Sequence, residues 1–592
     1  MKRKLGLWPL LRGILALVML AAILIVALWP RLSGELVTHE SVSASSPTAE
    51  PSFGDTIRAL LAEFSAQDAT DALILQELHS GAYSAEEPLI LDNPYGCSPL
   101  TALAVFTTET PASVHVHVAG KTSDADVDHD LTSLETDHLV PIYGLYPDYL
   151  NTVTLTVTDA SGEKTTTTVE IQTEPIAPET IENIIIQTDI EKAAAMSDGM
   201  NFLYSQKLAF DSHGDIRWTN NTWFTPPCTL YDYENGTYIT SYGAYLEGDV
   251  LFTERNFLGK FLRVWYSPYG AHHDIEEGEN GNLLITGGKG VVMEDFVYEL
   301  DTQTGEVIHT LNLKTVLPRS SERSNATQTA QSTMGFRVDA SPSDWFHLNA
   351  IVWDDGSVIL SGRHMSAVVK MDWPSGKIEW ILASPYGWPN MFQKYLLTPV
   401  EGQSDFEWPY WQHAPYLMPD QDNNPDTEDI LVFDNGTVRF GEADVQEALR
   451  SGNLSAIQNY SRLVQYRINA SKGTIEQIWQ YGKERGEELY SNRCGNVNLL
   501  VNGNRLGYFY VESKDLQNRS THTVMSEVDS NGNLVWEALL TSETGILESY
   551  RGIRLPLYRD SDQDLHLGES ARILIPDAVL AANGVELPQP LD

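Results

Sequence analysis

The sequence predicts an all-β chain: a six-bladed β-propeller preceded by a small β-sandwich domain, with a transmembrane helix at its N-terminus. Three observations carry this. A signature of Asp or Asn, a short turn ending in Gly, and a strand often closing on Trp recurs six times between Asp211 and Trp536. Upstream of it, NTVTLTVTDASGEKTTTTVEIQT alternates Val with Thr around a turn, as paired half-buried strands do. Near the start, GILALVMLAAILIVALW (Gly13–Trp29) holds 17 residues without a charge, just enough to cross a bilayer as a helix.

Lys2, Arg3, Lys4 and Arg12 precede the apolar run and orient it with the N-terminus in the cytoplasm. Residues 1–32 therefore read as an uncleaved anchor, which leaves the rest of the chain extracytoplasmic. A cleaved signal sequence is the competing reading, but the small-residue stretch SVSASS lies far beyond the run. Residues 33–86 read as a Ser/Thr/Glu/Pro-rich tether and then a short helical segment, spaced by Ile57, Leu60, Leu61, Phe64, Leu73 and Leu75. Residues 87–178 form the β-sandwich domain and the linker EPIAP. His115 and His117 alternate with Val there and read as a solvent-facing stripe.

From residue 179 onward the repeats define the propeller. The signatures are Asp211–Trp218, Asn256–Trp265, Asp301–Leu311, Asp372–Trp380, Asn469–Trp479 and Asp529–Trp536. Strands such as TYITSYG, NLLITGG, SVILSG, DILVFD and RLGYFYVE lie between them. Insertions at Lys314–Ser343 and Tyr386–Tyr410 are expected as loops over one face. A β-helix or double sandwich is the structural alternative.

Composition narrows the chemistry. With 38 Lys+Arg against 81 Asp+Glu the net charge is −43, which excludes nucleic acid as a partner. An anion site on such a chain must be local, built from Arg and His. The cysteines Cys97, Cys228 and Cys494 are far apart, with no ligand spacing for a structural zinc.

Histidines recur just before Asp/Asn/Gly turns and apolar strands: His272 and His273 in AHHDIEEGENGNLLITGG, His347 with Asn349 in DWFHLNAIVWDDGSVILSGRHMSA, and His413 in WQHAPYLMPD. Arg363 and His364 follow the strand SVILSG. In a propeller these positions converge on the central channel. Imidazoles serve as nucleophiles, acids or metal ligands, while a guanidinium fork fits an oxyanion. A three-histidine metal site is the rival, and Arg363 speaks against it because a guanidinium repels a bound cation.

The HHD motif, the block Asp344–Asp372, WQHAPYLMPD with ILVFDNG (Trp411–Gly436), and LDNPYGCSPLTALAVF (Leu91–Phe106) together resemble the bacterial arylsulfate sulfotransferase family. That resemblance implies a six-bladed propeller that moves a sulfuryl group from a phenyl sulfate to a phenol. The transfer is ping-pong, through a sulfohistidine, with no nucleotide donor and no cofactor. It implies His413 as nucleophile, His347 and Asn349 as sulfuryl-binding or proton-handling groups, and Arg363 as the charge-neutralising group. One of His272 and His273 is implied as acid/base partner; aligning the repeats sets His272 opposite His347 and His273 opposite His413, which does not choose between them. His364 is expected to support the pocket. SNRCGNVNLL and SYRGIRLPLY also resemble family segments and add Asn496, Tyr550 and Arg551 as substrate-binding candidates. Two departures stand out: no close Cys pair lies near His413, and Pro419–Asp429 forms a longer, acidic turn. The expected partners are an aryl sulfate donor, a phenolic acceptor and the membrane; the oligomeric state is left open, a homodimer being one option. A surface-anchored binding propeller without catalysis and an aryl sulfate hydrolase are the alternatives.

Overall fold

The structure is a computed structural model and describes residues 52–587, apart from 182, 222–228, 244–247, 290–291, 319–344, 438, 440–446, 449, 454–458, 514–518 and 560–563. The apolar run Gly13–Trp29, most of the tether, Cys228, most of the Lys314–Ser343 insertion and Asp344 lie outside the described residues. Among those described, no helix is long and apolar enough to cross a membrane.

A helix, Phe53–Leu78, opens the described chain where the spacing predicts one. Ile57, Leu60, Leu61 and Phe64 recur at helical period and pack against Tyr242, Leu251, Phe261 and Val264. In the later turns Ile74 and Leu78 face inward, while Leu73 is half exposed at 53%. Of the two later positions the spacing predicts, Leu75 packs partly buried against the neighbouring core, while Leu73 falls one residue short of the buried Ile74. Polar anchors lock the helix in place. Gln67 Nε2 donates to Phe261 O at 2.9 Å and Gln67 Oε1 accepts from Phe261 N at 2.7 Å. The Lys260 ammonium pairs with Asp71 where both are almost fully buried.

The N-terminal β-domain is one five-stranded antiparallel sheet folded over on itself: Leu89–Asp92, Thr101–Val118, Val127–Tyr143, Leu150–Asp159 and Lys164–Gln172. The register of the longest strand breaks between Thr107 and Ala112. That break lets Ala102–Phe106 and Ala112–Val118 face each other across a core of Val114, Val116, Leu155 and Val157. His115 and His117 lie on the opposite face, bonded across the strands to Asp130 and Asp128 at 2.8 and 2.9 Å. Arg217 ties this domain to the sheet after it, donating to Gly144 O, Ala125 O and Tyr146 Oη while paired with Asp211.

The remainder is mostly β, in six further sheets of four or five strands. In each, the recurring signature is the hairpin joining the third and fourth strands in sheet order from the inner strand. Its glycine (Gly214, Gly259, Gly305, Gly376, Gly473, Gly532) occupies the left-handed region at φ 65–96°. Three of the closing tryptophans donate to the corresponding turn of the neighbouring sheet, whereas Trp380 Nε1 donates to Glu428 Oε1 at 2.6 Å. Trp218 Nε1 donates to Phe257 O, Trp265 Nε1 to Thr302 O, and Trp536 Nε1 to Ser212 O, the last returning from the final sheet to the first. Leu311 packs on Gly376 and Trp479 lies against Gly532 in the same manner. Thus the signature records contacts between sheets as well as a turn.

Strands flanking the repeats on either side complete the first and last of these sheets. Gly552–Leu555 pairs with Met200–Leu203 to complete the first sheet, and Ile184–Ile190 pairs with Leu534–Ser542 to edge the last. The first strands Thr229–Tyr233, Ile275–Glu277, Leu348–Asp354, His413–Leu417 and Asn496–Leu499 touch one another in succession. The Tyr386–Tyr410 insertion departs from expectation. It runs along an outer edge, where Thr398–Pro399 adds a parallel strand to Thr474–Tyr481.

Candidate active site

Four residues upstream of successive first strands share a left-handed backbone: His273 (φ 59°), His347 (φ 55°), Trp411 (φ 56°) and Cys494 (φ 61°). Side chains other than glycine are uncommon there and cost on the order of 1 kcal/mol each, a feature that gathers at functional sites. This conformation sets the phase of the repeats. His347 corresponds to His273 and Trp411, and Asn349, two residues on, corresponds to His413 and Asn496. The sequence alignment that set His272 opposite His347 was one residue out, because it counted residues without the backbone reversal.

The imidazoles form one cluster. Ring centroids lie 5.1 Å apart for His272 and His273, 5.0 Å for His273 and His347, and 4.5 Å for His347 and His364. Tyr550 stacks on His273 at 5.4 Å and stands 6.3 Å from His413. Arg363 lies over the Trp411 ring at 4.5 Å, with Nη1 3.4 Å from His364 Nε2. His272 is fully buried, its backbone N–H on Thr286 O and its Nε2 3.1 Å from Gly287 O. His273 is only partly buried, between His347 and Tyr550.

His413, 2% exposed, is held by Nδ1, which lies 2.7 Å from Asn435 Oδ1 and 3.2 Å from Trp411 O. Its Nε2 makes no hydrogen bond among the described residues. Burial first, then the nearby Arg363 charge, push this imidazole well below the ordinary histidine range, and Arg551 and His273 add to the effect against the Asn435 hydrogen bond. His413 is therefore neutral at neutral pH.

Beneath the cluster, Arg551 joins three first strands. Its Nη1 donates to Asp274 Oδ1 at 2.7 Å and its Nη2 to Asn349 O, while Asp274 Oδ2 accepts from Ile351 N at 3.0 Å. Burial raises the Asp274 carboxyl, against Arg551, and pushes Glu276 up to about 8 with help from Asp274. Asn349 Nδ2 donates to Gln412 O at 2.9 Å, and its buried Oδ1 has no partner among the described residues. Tyr550 Oη reaches Asn349 O at 3.3 Å.

His272, His273, His347, Asn349, Arg363, His364, His413, Tyr550 and Arg551 are thus brought together. Asn496 stands apart, clipped to Gly552 by Nδ2 on its carbonyl and Oδ1 on its N–H at 2.8 and 3.1 Å. Sequence reasoning missed Asn435 and Gln412. Asn435 sits in the quoted ILVFDNG, but Asp-Asn-Gly reads first as a turn; Gln412 lies between Trp411 and His413 and anchors their strand to Ser361, Gly362 and Ala367. Cys97 and Cys494 are free thiols, and burial pushes Cys494 up to about 11.

The family description "Arylsulfotransferase (ASST)" matches residues 186–551, more than half of the chain. The chain belongs to the arylsulfotransferase family. It is accordingly a sulfotransferase enzyme by kinship. The arylsulfotransferase Ig-like domain matches residues 89–174, the folded-over N-terminal sheet. The arylsulfate sulfotransferase AssT of Escherichia coli O6:H1 is 26% identical over 505 residues, covering 68% of this chain and 81% of its own. AssT of Lelliottia amnigena is 28% identical over 509 residues, with the same coverage. Among solved structures, a Dos1 propeller covers 62% of this arylsulfotransferase and 96% of itself at 8% identity, with a TM-score of 0.26, too low to establish a shared fold.

Proposed function

We propose that this arylsulfotransferase is a six-bladed propeller that transfers a sulfuryl group from an aryl sulfate ester to a phenolic acceptor, ping-pong through sulfated His413, without a nucleotide donor. The observation that carries this reading is the setting of His413: buried, tethered through Nδ1 to Asn435 Oδ1, and with Nε2 making no hydrogen bond among the described residues, while burial and the nearby Arg363 charge lower its pKa. The Nε2 lone pair forms an N–S bond as the S–O(aryl) bond breaks and the phenolic oxygen leaves with the electron pair. Arg363 offsets the charge on the sulfuryl oxygens, and His347 and Asn349 hold them. His273 is favoured over His272 as the acid/base group, because His272 is fully buried with Nε2 at Gly287 O. His364 supports His347 and Arg363. A phenol then loses its proton to the same acid/base group and takes the sulfuryl group. The run Gly13–Trp29 and its basic flank support single-pass anchoring with this region outside the cytoplasm.

The test mixes purified protein with an aryl sulfate, with and without an added phenol. Phenol-dependent release of the donor's phenol, lost in His413→Ala, supports transfer. Release independent of the added phenol, still lost in His413→Ala, identifies a hydrolase with the same intermediate. Full activity in His413→Ala rejects the mechanism.

A further inference from the structure

Around His413 every hydrogen-bonding direction can be assigned by elimination. Asn435 Nδ2 lies 2.8 Å from Ser491 O and 2.9 Å from Cys494 O. Backbone carbonyls only accept, so both amide N–H groups point at them, and the flip that would exchange nitrogen for oxygen would set oxygen against two oxygens. Asn435 Oδ1 is therefore the atom facing His413 Nδ1 at 2.7 Å. The other neighbour of that nitrogen, Trp411 O at 3.2 Å, is also an acceptor. Two acceptors and no donor at Nδ1 require a proton there. We propose that Asn435 is a positioning residue that fixes His413 as the Nδ1–H tautomer and keeps that proton on the ring throughout the transfer cycle. The second half of this proposal rests on the function proposed above; the first half does not.

An amide suits this task where a carboxylate would not. As Nε2 bonds to sulfur and the aryl oxygen departs with its electron pair, the ring becomes a cation that still holds its Nδ1 proton. When the acceptor oxygen attacks, the N–S pair returns to Nε2 and neutral imidazole is the leaving group. Were the Nδ1 proton removed, imidazolate would have to leave, a far poorer leaving group. A carboxylate at position 435 would attract that proton and favour the protonated ring before reaction, opposing Arg363, Arg551 and His273. Asn435 accepts the hydrogen bond, carries no charge and cannot take the proton. Its orientation comes from the segment entering the next sheet, between Leu489 and Asn496.

Ring-nitrogen NMR on the full chain labelled with 15N-histidine, His413 being assigned by comparison with His413→Gln, reads the tautomer without any substrate. Nδ1–H with a bare Nε2 is expected, and Nε2–H overturns the proposal even if aryl sulfates prove to be substrates. Asn435→Asp is expected to move the acid limb of kcat/KM for the donor upward by at least one pH unit. Asn435→Ala is expected to lower kcat at least tenfold with KM little changed. A folded Asn435→Asp with its acid limb in place, or a folded Asn435→Ala with unchanged kcat, overturns the proposal. Absence of any aryl sulfate turnover in the wild type would reject the function while the spectrum still decided the tautomer.

Discussion

Arg551→Met tests whether the buried ion pair beneath the histidines is structural. The guanidinium and the Asp274 carboxylate meet at 2.7 Å with side chains 8% and 12% exposed. With charge centres roughly 4 Å apart and an effective dielectric near 20, their attraction is about 4 kcal/mol. Removing one partner from such a pair costs about 3–5 kcal/mol, because the remaining charge is buried without compensation. Asn349 O would lose its Arg551 donor as well. Arg551→Met should therefore lose about 3–5 kcal/mol in urea unfolding, and Arg551→Met with Asp274→Asn should recover more than half. In the double variant the Asn carbonyl can still accept from Ile351 N while no charge remains buried. A loss under 1 kcal/mol, or no recovery, would refute a structural lock and return Arg551 to a role in substrate binding alone.

Under the proposed mechanism, protonation of His413 should halt the donor half-reaction only well below pH 6.5, the ordinary histidine value, since its lowered pKa keeps the neutral form until pH falls through it. Arg363→Met removes the second-largest cause of that shift; the acid limb of kcat/KM should move upward even as the amplitude drops. Trp536→Phe should lose about 1 kcal/mol with the bond to Ser212 O, and Trp536→Ala about 3–5 kcal/mol, by the same unfolding assay.

The hairpins of the six repeats were legible because each rests on a local rule: Asp or Asn accepting nearby hydrogen bonds, and Gly at positive φ. The same residues revealed the sheet-to-sheet contacts only in three dimensions, since nothing local in DSNGNLVW says that Trp536 reaches Ser212. Histidines at His273, His347 and His413 were found by recurrence, which periodicity preserves. Their phase was misread because a left-handed residue reverses the chain without leaving a mark when it is His or Trp rather than Gly. Asn435 and Gln412 act through bonds to residues 22 to 63 positions away. No spacing rule reaches that far, so such partners appear only once the fold sets them side by side.

Because the cluster draws on the upstream ends of several first strands, its distances depend on how those strands are held relative to one another. Gly362 shows how tight that tolerance is. It lies at ordinary φ, yet an added Cβ would sit 2.3 Å from the ring of Phe346, the fully buried residue just before His347. Phe346 cannot retreat, for it packs among Trp345, Leu348, Met365 and Ala367. Gly362→Ala should therefore destabilise by about 1–3 kcal/mol through overpacking. It should also lower kcat/KM by shifting His347, whose carbonyl accepts from Arg363 N at 3.1 Å and so moves the neighbouring arginine with it. Measuring both quantities separates the effects. Loss of stability with unchanged activity at a temperature where the variant is folded would mean that His347 and Arg363 have freedom to recover their places, and that the strained turn at His347 does not govern the site.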